Sequence, residues 1–156
     1  MEGRLRRAAV ALGSNEGDRA SHLAHAVDQL RTVLSDVVVS TFIETVPEHK
    51  PDDPLFLNGA LVGGTRATPE RLLTTLLAVE RERGRERPYP GAPRTLDLDL
   101  VLVGELRVES AALRLPHPRF RSRRFVLGPL AEIAPALVDP VTGRSVEELL
   151  EMLRGS

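Results

Sequence analysis

The chain has 156 residues, 42% hydrophobic and 28% charged, with 21 basic residues against 22 acidic ones and a formal net charge of −1. That length suits one domain with a buried core; the composition excludes a disordered or collagen-like chain, and no apolar run approaches the roughly 20 residues of a membrane span. The absence of cysteine removes disulfides, thiolate metal sites and a cysteine nucleophile, and the near-zero charge gives no overall pull toward nucleic acid or an anionic membrane.

A basic opening followed by five apolar residues, 8–12, is too short for the roughly 7–15-residue apolar stretch of a signal peptide. It reads as the first strand of a cytoplasmic protein, closed by a turn at Gly13, Ser14 and Asn15. A helix follows, N-capped by Asp18, with Leu23, Val27, Leu30 and Leu34 down one face. Residues 37–45 are rich in β-branched side chains and predict a second strand that ends before Pro47. The stretch 48–54, with Pro51, Asp52, Asp53 and Pro54, predicts a surface loop.

Residues 56–65 form the next predicted strand. Thr68, Pro69 and Glu70 then open a helix as cap, first residue and first-turn acid, and Leu72, Leu73, Leu76 and Leu77 form its apolar stripe. Gly84 ends it, and a second loop, 86–93, carries Pro88, Pro90 and Pro93. Residues 96–103 predict a strand, Gly104 and Glu105 a hairpin turn, and 106–108 its partner. A helical stretch is expected around 124–134, and Ser145 with Glu148 spells a capping box for a last helix reaching Met152. The order strand, helix, strand, strand, helix, strand with a C-terminal extension predicts an α+β fold, a ferredoxin-like split βαβ sandwich in one domain, 1–156.

The most informative stretch runs from Pro93 through Arg94, Thr95 and Leu96 to Asp97, Leu98, Asp99 and Leu100. Strand alternation sends the leucines to one face and holds Asp97 and Asp99 together on the other. Two carboxylates so placed suit either a solvated polar face or a site where Mg²⁺ is completed by phosphate oxygens. Arg85, Arg87 and Arg94 lie nearby in sequence, and all basic residues but Lys50 are arginine. The guanidinium fork suits phosphate, though an arginine-rich loop is equally ordinary surface. No P-loop motif is present, so the Gly13–Asn15 turn reads first as a tight turn with a helix cap. His22 and His25, three apart on a helix with no third ligand nearby, read as surface residues. His117, between two prolines and ahead of Arg119, Arg121, Arg123 and Arg124, fits a structural turn or a phosphate contact. Glu80 fits an arginine partner or a ligand contact at a cleft edge, and Asn58, on the face of Phe56, fits a satisfied polar residue or a reader of a flat heterocycle.

Taken together, the blocks around Gly13-Ser14-Asn15, Thr45-Val46-Pro47, Phe56-Leu57-Asn58, Glu80 with Gly84-Arg85, Arg94-Thr95-Leu96-Asp97-Leu98-Asp99, Leu115-Pro116-His117-Pro118 and Arg123 to Pro135 resemble 6-hydroxymethyl-7,8-dihydropterin pyrophosphokinases of folate biosynthesis. The resemblance covers nearly the whole chain. It implies transfer of pyrophosphate from ATP to the pterin hydroxymethyl group with release of AMP, by a monomer whose partners are those two substrates. By matching position, Asp97 and Asp99 would hold two Mg²⁺ ions. Arg85, Arg94 and His117 would contact the triphosphate, with Arg123 near it and Glu80 on the nucleotide side. Phe56 and Phe125 would sandwich the pterin, and Asn58 with backbone groups around Thr45, Val46 and Pro47 would read its edge. Ile43 stands where the family often has an aromatic, and Tyr89 is the one ring in the second loop. Another Mg²⁺-dependent nucleotide enzyme, or a non-catalytic binding module on the same sheet, are the rival classes. The RNA-binding version of the latter lacks the expected strand aromatics.

Overall fold

The fold is known from a computed structural model that describes residues 3–46, 52, 54–84 and 95–155. Its organising strand is β1 (Arg6–Ser14), whose run of small and branched apolar residues lets both faces be covered. β1 pairs antiparallel with β4 (Phe56–Thr65) on one side and with β5 (Asp97–Val103) on the other. β2 (Ser35–Val39) and β3 (Ile43–Thr45) follow one another along the far edge of β4. The path β2-β4-β1-β5 places a strand of each strand–helix–strand unit between the two strands of the other. Among the described residues all pairings are antiparallel, and the architecture is mixed α+β with a five-stranded sheet and four α-helices.

Helices α1 (Arg19–Arg31) and α2 (Pro69–Glu82) bury Leu23, Leu30, Leu72 and Leu76 against Val10, Leu12, Leu98 and Leu100 on one face. Helices α3 (Arg124–Ile133) and α4 (Val146–Arg154) bury Val126, Leu127, Leu130 and Leu149 against Ala9, Ala60, Val62 and Val101 on the other. The helix ends follow the local signals. Asp18 accepts the Ser21 N–H at 3.1 Å, Thr68 accepts that of Arg71 at 3.2 Å, and Ser145 and Glu148 cap each other reciprocally. Gly84 follows α2 with φ of +75°, a conformation that glycine adopts without the cost a side chain would bring.

Three expectations need correction. Residues 37–45 do not form one strand: the chain breaks at Ser40, whose hydroxyl accepts the Ala60 N–H, and the N–H and hydroxyl of Thr41 donate to Glu132 on α3. A carboxylate from another element has taken the ladder's donor. Gly104 and Glu105 do make a turn, with the Leu106 N–H on the Val103 carbonyl at 3.0 Å, but 106–108 does not pair with β5. Instead β6 (Val108–Glu109) pairs with β7 (Arg114–Leu115), because the returning chain reaches β5 itself. There the His117 N–H donates to the Val101 carbonyl at 2.7 Å. His22 and His25 are not merely surface residues. His22 Nδ1 accepts from Arg83 Nε at 2.9 Å and His25 Nε2 meets Glu82 at 3.0 Å, tying α1 to the end of α2.

Beside the apolar packing of α3 and α4, one buried carboxylate ties the C-terminal extension together. Asp139 is fully buried, and Arg121 donates to it twice, at 2.6 and 3.0 Å, joined by the Thr142 hydroxyl and the Val141 N–H. Burial alone would push its pKa up, but those donors outweigh it and hold the value at about 2 against the ordinary 3.8. Since the folded value lies below the unfolded one, this stabilisation is full above the ordinary value of 3.8 and is lost as pH falls toward about 2. Asp139→Ala is therefore expected to lower the unfolding free energy by about 2 kcal/mol at neutral pH. Urea titrations should show that deficit shrinking in acid; a deficit that ignored pH would assign it to packing instead.

Candidate active site

Directly opposed residues of paired strands share a face, so the register fixes what stands beside what. Gly13 is opposite Asn58 on β4 and opposite Asp97 on β5, while Ala11 is opposite Ala60 and Asp99. On the far side of β4, Ile43 is opposite Asn58 and Thr45 is opposite Phe56. Thr45, Phe56, Asn58, Gly13, Asp97 and Asp99 therefore lie across one face of four strands. Further along, that face is covered by α3 and α4, with Ala11 and Phe125 packed at the margin of the apolar layer. The candidate site is the part that the helices leave uncovered.

Its floor is Gly13. A Cβ built there would lie 2.6 Å from Asn58 Oδ1 and 3.6 Å from the Phe56 ring, so the amide and the ring lean over the glycine. Asn58 is 8% exposed and donates from Nδ2 to Thr45 Oγ1 at 2.5 Å. The two groups the resemblance pairs for pterin recognition thus hold each other in place. Phe56 and Phe125 are both half-buried, and Val46 is exposed.

Asp97 and Asp99 are half-buried, and the leucines between and after them point into the opposite layer. The residues across β1 from them, Gly13 and Ala11, put no bulky side chain beside the carboxylates. Among the described residues no cluster of three or more His, Asp or Glu forms a complete metal cage. Two hard oxygen donors on an open face suit Mg²⁺, which accepts one or two carboxylates and takes the rest of its shell from phosphate and water.

Glu80 is 2% exposed on the inner side of α2, where its Oε2 accepts the Leu98 N–H at 2.7 Å. It grips β5 at the residue between the two aspartates. His117 follows a cis Leu115–Pro116 bond. Its Nδ1 accepts the Arg119 N–H at 3.1 Å, which leaves the ring proton on Nε2. Burial and then the charges of Arg123 and Arg119 push the imidazole pKa below its ordinary value, with Asp97 opposing them. Near neutrality the ring is therefore an uncharged donor beside Asp97 and Arg123. Arg123 precedes α3 and lays its guanidinium 5.5 Å from the centre of the Phe125 ring.

The structure thus brings together Thr45, Phe56, Asn58, Asp97, Asp99, His117, Arg123 and Phe125 around one face, with Glu80 behind it. Pro47, Arg85, Arg94 and Tyr89 lie outside the described residues. Sequence reasoning missed Gly13 as the floor, although a glycine at the buried end of a strand is the signal of a close approach.

Residues 9–135 match the family model of the 7,8-dihydro-6-hydroxymethylpterin-pyrophosphokinases (HPPK). The chain belongs to the HPPK family. It is 41% identical over 151 residues to the Methylorubrum extorquens 2-amino-4-hydroxy-6-hydroxymethyldihydropteridine pyrophosphokinase, covering 96% of this chain and 94% of that one. Its identity to the Synechocystis protein of the same name is 40% over 148 residues, 94% of this chain and 75% of the relative. Among solved structures it superposes on Plasmodium falciparum HPPK-DHPS with pteroate at a TM-score of 0.76 and 13% identity, over 97% of this chain. The chain spans 43% of that longer protein, and this likeness speaks to the HPPK fold alone. No helix among the described residues is long and apolar enough to cross a membrane.

Proposed function

We infer that this chain transfers pyrophosphate from ATP to the hydroxymethyl group of 6-hydroxymethyl-7,8-dihydropterin in folate synthesis, releasing AMP. Family membership over residues 9–135 carries the activity. The observation that best supports the reading at residue level is the register that sets Asp97 and Asp99 on the face of the Asn58–Thr45 pair, with Gly13 between them.

In this reading Asp97 and Asp99 hold two Mg²⁺ ions, which neutralise charge on the ATP phosphates when bound. Arg85, Arg94 and the Nε2–H of His117 contact the triphosphate, with Arg123 close by. Glu80 serves the nucleotide side and, through Leu98, keeps the strand of the two aspartates in place. The pterin lies between Phe56 and Phe125, with its edge toward Asn58 and the chain at Thr45, Val46 and Pro47. Its hydroxyl oxygen attacks the β-phosphorus in line as the bond to the α,β-bridging oxygen breaks. Holding the alcohol, the phosphates and the guanidinium groups in one geometry is the protein's part in such a transfer. The fold is assigned as a ferredoxin-like split βαβ sandwich with a C-terminal extension, one pyrophosphokinase domain working as a cytoplasmic monomer.

The test is chromatography of the nucleotide released from ATP and Mg²⁺ with and without the pterin. AMP formed only with pterin is the expected result. ADP would indicate a simple kinase and free pyrophosphate a nucleotidyltransferase, and either would overturn the reading.

A further inference from the structure

The last rung of the β3–β4 ribbon is the pair Thr45 and Phe56, and β1 does not reach it. The final β1–β4 pair is Ser14 with Leu57, so Phe56 has a strand partner on one side only. β3 contributes three residues to that ribbon, and a short two-stranded end frays unless something else holds it. Among the described residues, Arg19 holds it. One nitrogen of its guanidinium, Nη1, donates to the Leu55 carbonyl at 2.9 Å, and the other, Nη2, lies 3.6 Å from Glu44 Oε1. Leu55 immediately precedes Phe56, and Glu44 immediately precedes Thr45. A single planar fork therefore takes hold of both strands of the ribbon just where they leave the sheet.

The base from which Arg19 reaches is rigid. It is the first residue of α1, directly after the Asp18 cap, and α1 is anchored by the fully buried Leu23, Ala26 and Leu30. Between this base and the ribbon lies a cleft of about 440 Å³, with Asn15, Glu16 and Gly17 on one wall and Glu44, Pro54 and Leu55 on the other. Among the described residues, the Arg19 guanidinium bridges that gap. An exposed ion pair at 3.6 Å contributes little by itself. The charge-assisted bond to the Leu55 carbonyl is the stronger half, and Glu44 orients the fork.

We propose that Arg19 is a positioning residue for the pterin: it keeps the Thr45–Phe56 rung closed, so that the Phe56 ring and the Thr45–Asn58 pair are preformed as a slot before substrate arrives. This rests on the pterin reading of those residues given above. Arg19 itself touches neither substrate in this scheme, and its effect falls on pterin affinity because the ribbon, not β5 with its two aspartates, is what it holds.

The experiment compares Arg19→Ala, Arg19→Lys and Asn58→Ala in the full chain, with pterin and ATP varied separately. Arg19→Ala is expected to raise KM for the pterin by roughly five- to tenfold while kcat and KM for ATP stay within about twofold. Arg19→Lys should fall between, since an ammonium can serve one of the two partners but not both at once. Hydrogen exchange at the Thr45 and Phe56 amides should quicken in Arg19→Ala, with β5 unchanged. Asn58→Ala raising the pterin KM while Arg19→Ala leaves it alone would overturn the clamp and spare the pterin reading. A silent Asn58→Ala would overturn the pterin reading and the clamp's purpose with it. Parallel rises in both KM values on Arg19→Ala would mark a general loosening and also overturn the proposal.

Discussion

Asp97→Ala and Asp99→Ala are each expected to reduce turnover by roughly a thousandfold or more, with the fold retained. Both aspartates sit half-buried on the uncovered face, and their neighbours Leu98 and Leu100 carry the packing on the other. On the proposed reading, truncating either carboxylate therefore removes oxygens that would hold metal without opening a cavity among the leucines, and it relieves the repulsion between two like charges on one strand. Circular dichroism and the urea midpoint should stay close to those of the parent while AMP release collapses. Near-parental kcat in either variant at saturating Mg²⁺ would remove the metal assignment. The Asp→Asn versions sharpen the comparison, because they keep shape and lose charge.

Gly13→Ala is the second large effect. The added methyl would sit 2.6 Å from Asn58 Oδ1, closer than a carbon and an oxygen approach without one of them moving. Asn58 is held through Nδ2 by Thr45, so it yields only by giving up that bond or by shifting β3 with it. Either way Asn58, the proposed reader of the pterin edge, moves by a fraction of an ångström to an ångström, a displacement that costs an active site about a hundredfold in kcat/KM. Asn58 is the flexible end of the contact, so the loss in stability should be small beside the loss in kcat/KM for the pterin. Equal kcat/KM for parent and variant would mean that the Asn58 amide plays no part in recognition.

What the sequence made legible, and what it concealed, divides along the range of the interactions. The caps at Asp18, Thr68 and Ser145 are written within four residues of where they act, and each was readable. The shared face of Asp97 and Asp99 follows from alternation, another local rule. By contrast, the break at Ser40 depends on Glu132, ninety-one residues beyond Thr41, and nothing near the break announces it. The partner of β6 was misread because a glycine turn looks alike whether or not the strand behind it is already engaged, here by His117. Glu80 was legible as a half-resolved choice between an arginine and a ligand; its bond to Leu98 requires knowing that α2 lies across β5. Motif order is enough to nominate the candidate site residues, whereas the close approach at Gly13 and the hold of Arg19 on Leu55 depend on strand register and tertiary contact.

β5 carries one irregularity: its pairing with β1 jumps from Leu102 opposite Ala9 to Leu100 opposite Val10, leaving Val101 as an extra residue. Leu98, Leu100 and Val103 consequently serve the layer under α1 and α2, while Val101 and Leu102 both serve the layer under α3 and α4. The end that carries Asp97 and Asp99 and the core end of the strand are thus out of phase by one step, and Val101 is the step. Were Val101 counted as a regular rung instead, with Leu102 and Val103 held in place, every residue before it would change faces, and Asp97 and Asp99 would turn into the layer of Leu12, Leu23 and Leu76, where burying a carboxylate is costly. A chain lacking Val101 is expected to keep these pairings in an unbulged ladder and to fold, with a lowered urea midpoint from the lost buried valine; failure to fold by circular dichroism would contradict this account. The side to which the two aspartates point thus rests on a miscount in the ladder, and one residue added between them and Val101 in a regular ladder would exchange the acidic face for the greasy one.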